Sequence, residues 1–327
     1  MVFDQLVVGI DLGGTKISTG LVDSAGVIIA HDYRETRATE GQEAVIERML
    51  DAARLVMAQA GVNQAQVAAV GVVAPGPLDI EAGVVVAPPN LPGWGHVPLK
   101  QLIEEGLGIR TFLENDANAA ALGEFRFGAG RGTEHMIYVT VSTGIGGGLI
   151  LDGELYHGAN GMAGEIGHTI VMPNGPLCGC GNRGCLEALA SGTAITRQAR
   201  ERVARGVLTL IADLAGNDPE RITAKLVAEA ATRGDVEAQE ILAEAMNYLG
   251  IGMANLVNLF NPQLIVIGGG LMNIGELLFG PVRRAIARHA LPTLAQAVRV
   301  VPAELGADVG VLGAAAVAQS AASNSRL

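Results

Sequence analysis

Residues 6–22 read LVVGIDLGGTKISTGLV, and residues 136–148 read MIYVTVSTGIGGG. In the first stretch an apolar strand, Leu6 to Ile10, runs into a glycine loop, Asp11 to Lys16, and emerges as a second strand, Ile17 to Val22. Asp23-Ser24-Ala25-Gly26 then supplies turn residues before Val27 to His31, and apolar runs divided by turn signals predict a hairpin. The glycine loop therefore joins strand to strand. A P-loop (GxxxxGK[ST]) or a dinucleotide GxGxxG leads from strand into helix, and neither occurs here. The second stretch repeats the opening: a buried strand, Met136 to Val141, ends in a glycine run over Ser142 to Gly148, with a further β segment beyond. Two such openings predict two related α/β halves facing each other across a cleft, each placing one glycine loop on phosphates.

Within the first loop, Gly13 and Gly14 let successive backbone N–H groups point into one concavity, as anion nests do. Thr15 and Lys16 add a hydroxyl and a positive charge, and Asp11 has the chemistry to hold a hydrated Mg²⁺. Read alone, the same six residues also make an ordinary hairpin turn. Further on, Gly41 to Ala60 has helical spacing, Val67 to Val73 is a buried strand, and Val86 to Gly95 carries too many prolines for regular structure. Asn90 in that loop either reaches a polar ligand or serves as a turn residue. Thr111 to Leu113 is a short strand that ends at Asn115-Asp116, where a helix over 117–127 begins. Ligands of open α/β folds bind beyond the carboxyl ends of strands, so a catalytic carboxylate belongs here; Asp and Asn are also favoured helix caps, and these residues alone favour capping. Asp235 opens a long helix that Asn261-Pro262 stops, and Leu264 to Ile267 is a buried strand ending in Gly268, Gly269 and Gly270. That glycine turn either admits a purine face or makes a tight strand–helix corner. Val282 to His289 reads as a helix, Val298 to Val301 as an edge strand and Gly310 to Ala322 as a closing helix.

The cysteines are Cys178, Cys180 and Cys185, all within eight residues of one another, with His168 ten residues before the first. In a cysteine-poor chain such a cluster points to a metal rather than to disulfides. Zinc takes four nitrogen or sulfur ligands in a tetrahedron, and a structural site fills all four with protein atoms. His168, Cys178, Cys180 and Cys185 supply that set, and Gly179, Gly181 and Gly184 let three sulfurs converge.

Length and charge narrow the function. A chain of 327 residues is long enough for two domains, each with its own core. With a net charge of −11 and no basic run longer than a pair, nucleic acid is excluded as the expected partner. No apolar stretch has the length of a membrane span, and no leader pattern opens the chain, so a cytoplasmic location is expected.

Together these motifs resemble the ROK family (repressor, open reading frame, kinase), and within it the bacterial ATP-dependent sugar kinases of the glucokinase type. The resemblance is carried by DLGGTK at 11–16, ENDANAAALGE at 114–124, VSTGIGGGLILDG at 141–153, GEIGH at 164–168, CGCGNRGCLE at 178–187 and the glycine triplet at 268–270, and it spans nearly the whole chain. It implies the α/β, actin-like ATPase (ribonuclease H-like) fold. Residues 1–115 with 310–327 would form the smaller domain and residues 116–309 the larger, with the closing helix returning to the first.

The resemblance also implies roles, residue by residue. Asp116 becomes the general base for phosphorylation of a hexose at its 6-hydroxyl. Gly76, Asn90, Asn115, Glu165, His168 and Glu187 join Asp116 at sugar-binding positions. Asp11, Gly13, Gly14, Thr15 and Lys16 match the first ATP phosphate segment, Thr143 and Gly144 the second, and Gly268 and Gly269 the adenosine segment. His168 serves twice, one ring nitrogen on zinc and the other toward the sugar. ATP, Mg²⁺ and a structural Zn²⁺ are the implied cofactors, and the family's dimers and tetramers imply a homo-oligomer. Glucose is the expected acceptor, from NLPGW at 90–94 and the cysteine segment. N-acetylmannosamine or fructose as acceptor, and polyphosphate as donor, stay open. A sugar-sensing repressor is disfavoured, because strand structure begins by Leu6 and DLGGTK is intact.

Overall fold

The computed structural model describes residues 5–88 and 90–324. The chain opens with β1 (Leu6–Leu12), β2 (Lys16–Val22) and β3 (Ile28–Glu35). α1 (Gln42–Gln59), β4 (Val67–Ala74), the short pair β5 (Leu78–Asp79) and β6 (Val84–Val85), α2 (Leu99–Leu107), β7 (Thr111–Asn115) and α3 (Asp116–Phe127) follow. A second series starts with β8 (Met136–Val141), β9 (Ile145–Leu151) and β10 (Glu154–Leu155). It continues through α4 (Leu186–Ala190), α5 (Gly192–Ala204), α6 (Leu210–Leu214), α7 (Ala224–Thr232) and α8 (Val236–Phe260). β11 (Leu264–Gly268), α9 (Glu276–His289), α10 (Pro292–Ala297) and β12 (Arg299–Pro302) lead to the closing helix α11 (Val309–Asn324).

Strand order shows the duplication. The first sheet runs β3-β2-β1-β4-β7, with β1 antiparallel to β2, β2 antiparallel to β3, and β4 parallel to both β1 and β7. The second runs β10-β9-β8-β11-β12, with β10 antiparallel to β9 and β11 parallel to both β8 and β12. The order is the same strand for strand, and both glycine loops sit between the first two strands of their series, as the paired sequence openings predict.

β1 is apolar along nearly its whole length because both of its faces are covered. Alternation along the strand divides them. Leu6, Val8, Ile10 and Leu12 pack in one cluster with Val45, Met49 and Val56 of α1. Val7 packs in another with Val311, Leu312, Ala315 and Ala318 of α11. The sheet takes α11 close to its backbone: a β-carbon at Gly71 of β4 would collide with the Ala314 carbonyl.

By packing, the chain forms two compact units. One holds the described residues up to Thr133, Gly148–Ala163 and the described residues from Ala303 on; the other holds Glu134–Gly147 and Gly164–Pro302. α11 thus returns to the unit that contains β1. The boundaries differ from a division at 115/116 and 309/310, because α3 packs within the first unit. Its Gly123 lies against α11, where a β-carbon would stand 3.0 Å from the Gly313 backbone. Two further expectations need correction. α9 begins at Glu276, six residues before the expected Val282, and runs through Pro281 instead of starting after it. α2, which follows Pro98, and the β5–β6 pair, which lies between Pro77 and Pro88, are regular elements that the sequence reading leaves out.

Candidate active site

In the first unit the site is built at the end of β7. Asn115 keeps extended backbone angles and its Oδ1 accepts the N–H groups of Ala117 (2.9 Å) and Asn118 (3.5 Å), so it is the cap of α3. The capping role therefore falls to Asn115, which leaves Asp116 in the first helical turn with one carboxylate oxygen on the Ala117 N–H at 2.8 Å. Asp116 is an exposed residue by its surface, yet its carboxyl lies among enough protein to be desolvated. That desolvation raises its carboxyl pKa above the usual range, against the Ala117 and Asn115 hydrogen bonds that lower it. Gly76 lies beside the same corner, and a β-carbon there would be 3.6 Å from Asn115 Nδ2.

The first glycine loop lies in the same unit. The Gly13 N–H donates to the Lys16 carbonyl at 2.8 Å, and Thr36 Oγ1 donates to the Gly13 carbonyl at 2.6 Å. Neither Gly13 nor Gly14 adopts a left-handed backbone. Gly14 is required for another reason: a β-carbon would stand 2.8 Å from Asn90 Cβ and 2.9 Å from its carbonyl oxygen. Asn90 is thereby brought to the first glycine loop by backbone packing, and it is exposed. The Lys16 ammonium sits 6.0 Å from the Tyr33 ring centroid. Asp11 is raised from 3.8 to about 6 by burial, which Lys16 opposes and Asp116 reinforces. Two carboxylates that feel one another beside a single lysine form a place suited to a hydrated divalent cation and its phosphates.

In the second unit the other glycine loop is fixed at every carbonyl from Ser142 to Gly144. Ser142 O accepts Gly192 N–H (2.8 Å), Thr143 O accepts Thr193 Oγ1 (2.7 Å), and Gly144 O accepts Ser142 N–H (2.9 Å). Glu187 closes the turn: its Oε2 accepts the Ile145 N–H at 2.9 Å and occupies the space a Gly144 side chain would need. Peptide planes held in this way suit an anion-binding turn. Gly268 and Gly269 lie at the end of β11 against β8. A β-carbon at Gly268 would collide with the Tyr138 hydroxyl, and one at Gly269 would stand 2.5 Å from the Val141 carbonyl. The tight strand–helix corner is thus what these two glycines make.

His168 closes a single 3₁₀ turn, Ile166–His168, and Glu165 precedes it. The ring Nε2 is 3.9 Å from Glu165 Oε2, while Nδ1 is 3.7 Å from Cys178 Sγ. Cys180 and Cys185 sulfurs are 3.7 Å apart, and one ligand atom from each of the four residues lies within 4.8 Å of the others. A tetrahedron with Zn–S bonds of ~2.3 Å has edges of ~3.8 Å, so the donor set fits zinc in both chemistry and spacing. Without a cation the thiolate form is disfavoured: burial and the neighbouring sulfurs push Cys185 up to about 12. A thiolate-binding cation relieves that crowding.

With this geometry in place, the likeness to known proteins is specific. The ROK family profile matches residues 7–321. The chain belongs to the ROK family. It is 42% identical to the glucokinase of Thermotoga maritima over 311 residues, which cover 95% of this chain and 96% of that one. The ROK hexokinase from Thermus thermophilus is similar in structure with a TM-score of 0.83 at 38% identity, over 98% of this chain and 100% of that chain. The ROK family glucokinase from Streptomyces griseus, solved with glucose and AMPPNP, has a TM-score of 0.79 at 37% identity, over 96% and 99%. The fold of this ROK chain is the actin-like ATPase fold, in agreement with the expectation from sequence.

One part of the first unit escapes the motif reading. Glu114, the residue before Asn115, is buried at 3% exposure and bonded to His157. A carboxylate at the end of an apolar strand signals a buried partner. It does not say which of the chain's six histidines supplies it.

Proposed function

We propose that this ROK chain is a glucokinase that transfers the γ-phosphoryl group of ATP to the 6-hydroxyl of glucose. The chain is an ATP-dependent hexose kinase, and its near-full-length likeness to glucokinases carries the choice of acceptor. Asp116 is the general base. It accepts the 6-hydroxyl proton as that oxygen bonds to the γ-phosphorus and the bond to the ADP oxygen breaks. Its raised pKa makes it a stronger base than an exposed aspartate. Asn115, Glu165, His168 and Glu187 bind the sugar hydroxyls, with Gly76 and Asn90 bordering them, and a wrong epimer leaves one of these polar groups unpaired. Asp11, Gly13, Gly14, Thr15 and Lys16 hold one set of phosphate oxygens, Thr143 and Gly144 another, and Gly268 and Gly269 border the adenosine. His168, Cys178, Cys180 and Cys185 hold zinc, and Asp11 holds the hydrated magnesium of the nucleotide. When bound, zinc fixes the imidazole's orientation and magnesium offsets phosphate charge.

A coupled assay over a panel of hexoses, with ATP and separately with polyphosphate, tests the reading. Glucose with ATP is expected to give the highest kcat/KM; inert glucose beside robust turnover of N-acetylmannosamine or fructose would replace the acceptor. Asp116→Asn is expected to lower kcat by about 10²- to 10⁴-fold while glucose still binds. In the wild type, kcat declines as pH falls through the raised Asp116 pKa, because the protonated carboxyl cannot accept the sugar's proton.

A further inference from the structure

The Glu114 carboxylate takes three hydrogen bonds at the strand-to-helix corner. Its Oε1 accepts the Asn115 N–H and Asn118 Nδ2, both at 3.0 Å, and its Oε2 is 2.7 Å from His157 Nε2. The Asn118 amide gives up something for this arrangement, since its Oδ1 is buried with no hydrogen-bond partner. Its orientation is thus dictated by the carboxylate. A buried charge is tolerated only when it is paired, and removing its partner leaves it uncompensated. Among the described residues, the charged group that meets the His157 ring is Glu114 of β7; the Leu155 backbone of β10 is bonded to it as well. The loop that carries His157 is itself closed by the Ala163 N–H, which donates to the His157 carbonyl at 3.0 Å.

We propose that His157 is a positioning residue for the phosphoryl-transfer base. By holding Glu114 through Nε2, it fixes the Asn115 backbone and the β7–α3 corner from which Asp116 projects. The inference rests on the reading of Asp116 as that base. It accounts for a buried carboxylate at 114 that is not itself among the proposed substrate-binding residues, and for a half-buried histidine outside the proposed zinc ligands. The Glu114 hydrogen bond, then the Glu114 charge and the Leu155 backbone, outweigh partial burial and raise the His157 pKa. A ring with two acceptors needs both of its nitrogens protonated to satisfy them. The brace is therefore complete below the raised pKa, and it slackens as pH rises through it.

The test is kcat against pH for the wild type, His157→Ala, His157→Gln and Glu114→Gln, with Asp116→Asn in parallel. His157→Ala is expected to lower kcat by about 10- to 100-fold with KM for ATP changed by less than about twofold. His157→Gln, a neutral donor of similar reach, is expected to restore most of kcat and to lack the alkaline decline of the wild type. Glu114→Gln is expected to reproduce the kcat loss, and combining it with His157→Ala is expected to add little further. If His157→Ala only melts at a lower temperature while kcat is unchanged, the residue is structural and the proposal is overturned. Should that variant not fold, an alkaline limb in His157→Gln identical to the wild type overturns it equally. An active Asp116→Asn instead removes the base assignment itself, which separates the two failures.

Discussion

On β1 the residues of one parity, Val7 and Gly9, turn toward α11, and Asp11 continues that row to the first residues of the helix. A β-carbon at Gly310 would collide with the Asp11 carboxylate. Burial there raises the Asp11 pKa from 3.8 to about 6, against Lys16 and with Asp116. The folded state therefore holds the proton more tightly than the unfolded chain, and stability falls as pH rises from about 4 to about 6. At neutral pH the shift corresponds to up to about 3 kcal/mol. Asp11→Asn is expected to recover much of that in the ligand-free protein at pH 7.5, with most of the gain gone at pH 4, where the folded carboxyl is protonated and the unfolded one about half so. Melting temperature measured across pH checks this, and a gain undiminished at pH 4 contradicts it. With Asp11 in its proposed role on magnesium, the same variant is expected to lose kcat/KM, because a neutral amide binds a divalent cation less well than a carboxylate does. A residue held at this cost in the free enzyme is one kept for its ligand.

Between Glu165 and Glu187 the second unit is an element organised by its side chains. The Leu186 N–H donates to the Thr169 carbonyl at 2.9 Å, and Cys185 forms an isolated bridge with Ile170. The sulfur cluster thus fixes the start of α4, and Glu187 in its first turn holds the second glycine loop through the Ile145 N–H. A charge-assisted hydrogen bond of this kind is worth ~1.5–3 kcal/mol. Stripping the metal with a chelator is expected to speed amide hydrogen exchange at Ile145 by about tenfold or more and to raise KM for ATP as well as for sugar, with zinc reversing both. Exchange confined to residues 169–186 would show that the metal does not reach the second glycine loop. This element is legible in sequence because sulfur is scarce and its geometry is demanding. The Glu114–His157 pair is not, since its members lie 43 positions apart and both residue types have many ordinary roles. Asn115 and Asp116 stand between these cases. Either can cap a helix, and only the backbone angles assign the cap to Asn115.

At the scale of the whole molecule, the first unit is completed by the last helix of the chain. Glu124, which ends the motif begun at Glu114, is fully buried and collects the returning segment. Its carboxylate accepts the N–H groups of Glu304 (3.0 Å), Leu305 (2.9 Å) and Ala129 (2.9 Å). α11 then lies on β1 and β4 with little space for side chains. The duplication into two related halves was predictable from two repeated openings, whereas this closeness was not: Gly9 and Gly71 read as interior glycines of a strand, and only the fold shows the helix backbone above them. Gly71→Ala tests it. The added methyl meets the Ala314 carbonyl, a backbone atom that cannot turn aside, so the variant is expected to lose about 2–3 kcal/mol and to melt roughly 5–10 °C lower. Trp94, the chain's single tryptophan, is 4% exposed within the β1–α1 core, so its fluorescence reports on this unit. Gly95→Ala is the matched control, because a β-carbon there meets nothing within 4 Å, and it is expected to be neutral or slightly stabilising. Equal melting of the two variants would mean that α11 sits farther from β4 than the packing shows, and the first unit would then hold together without its closing helix pressed on the sheet.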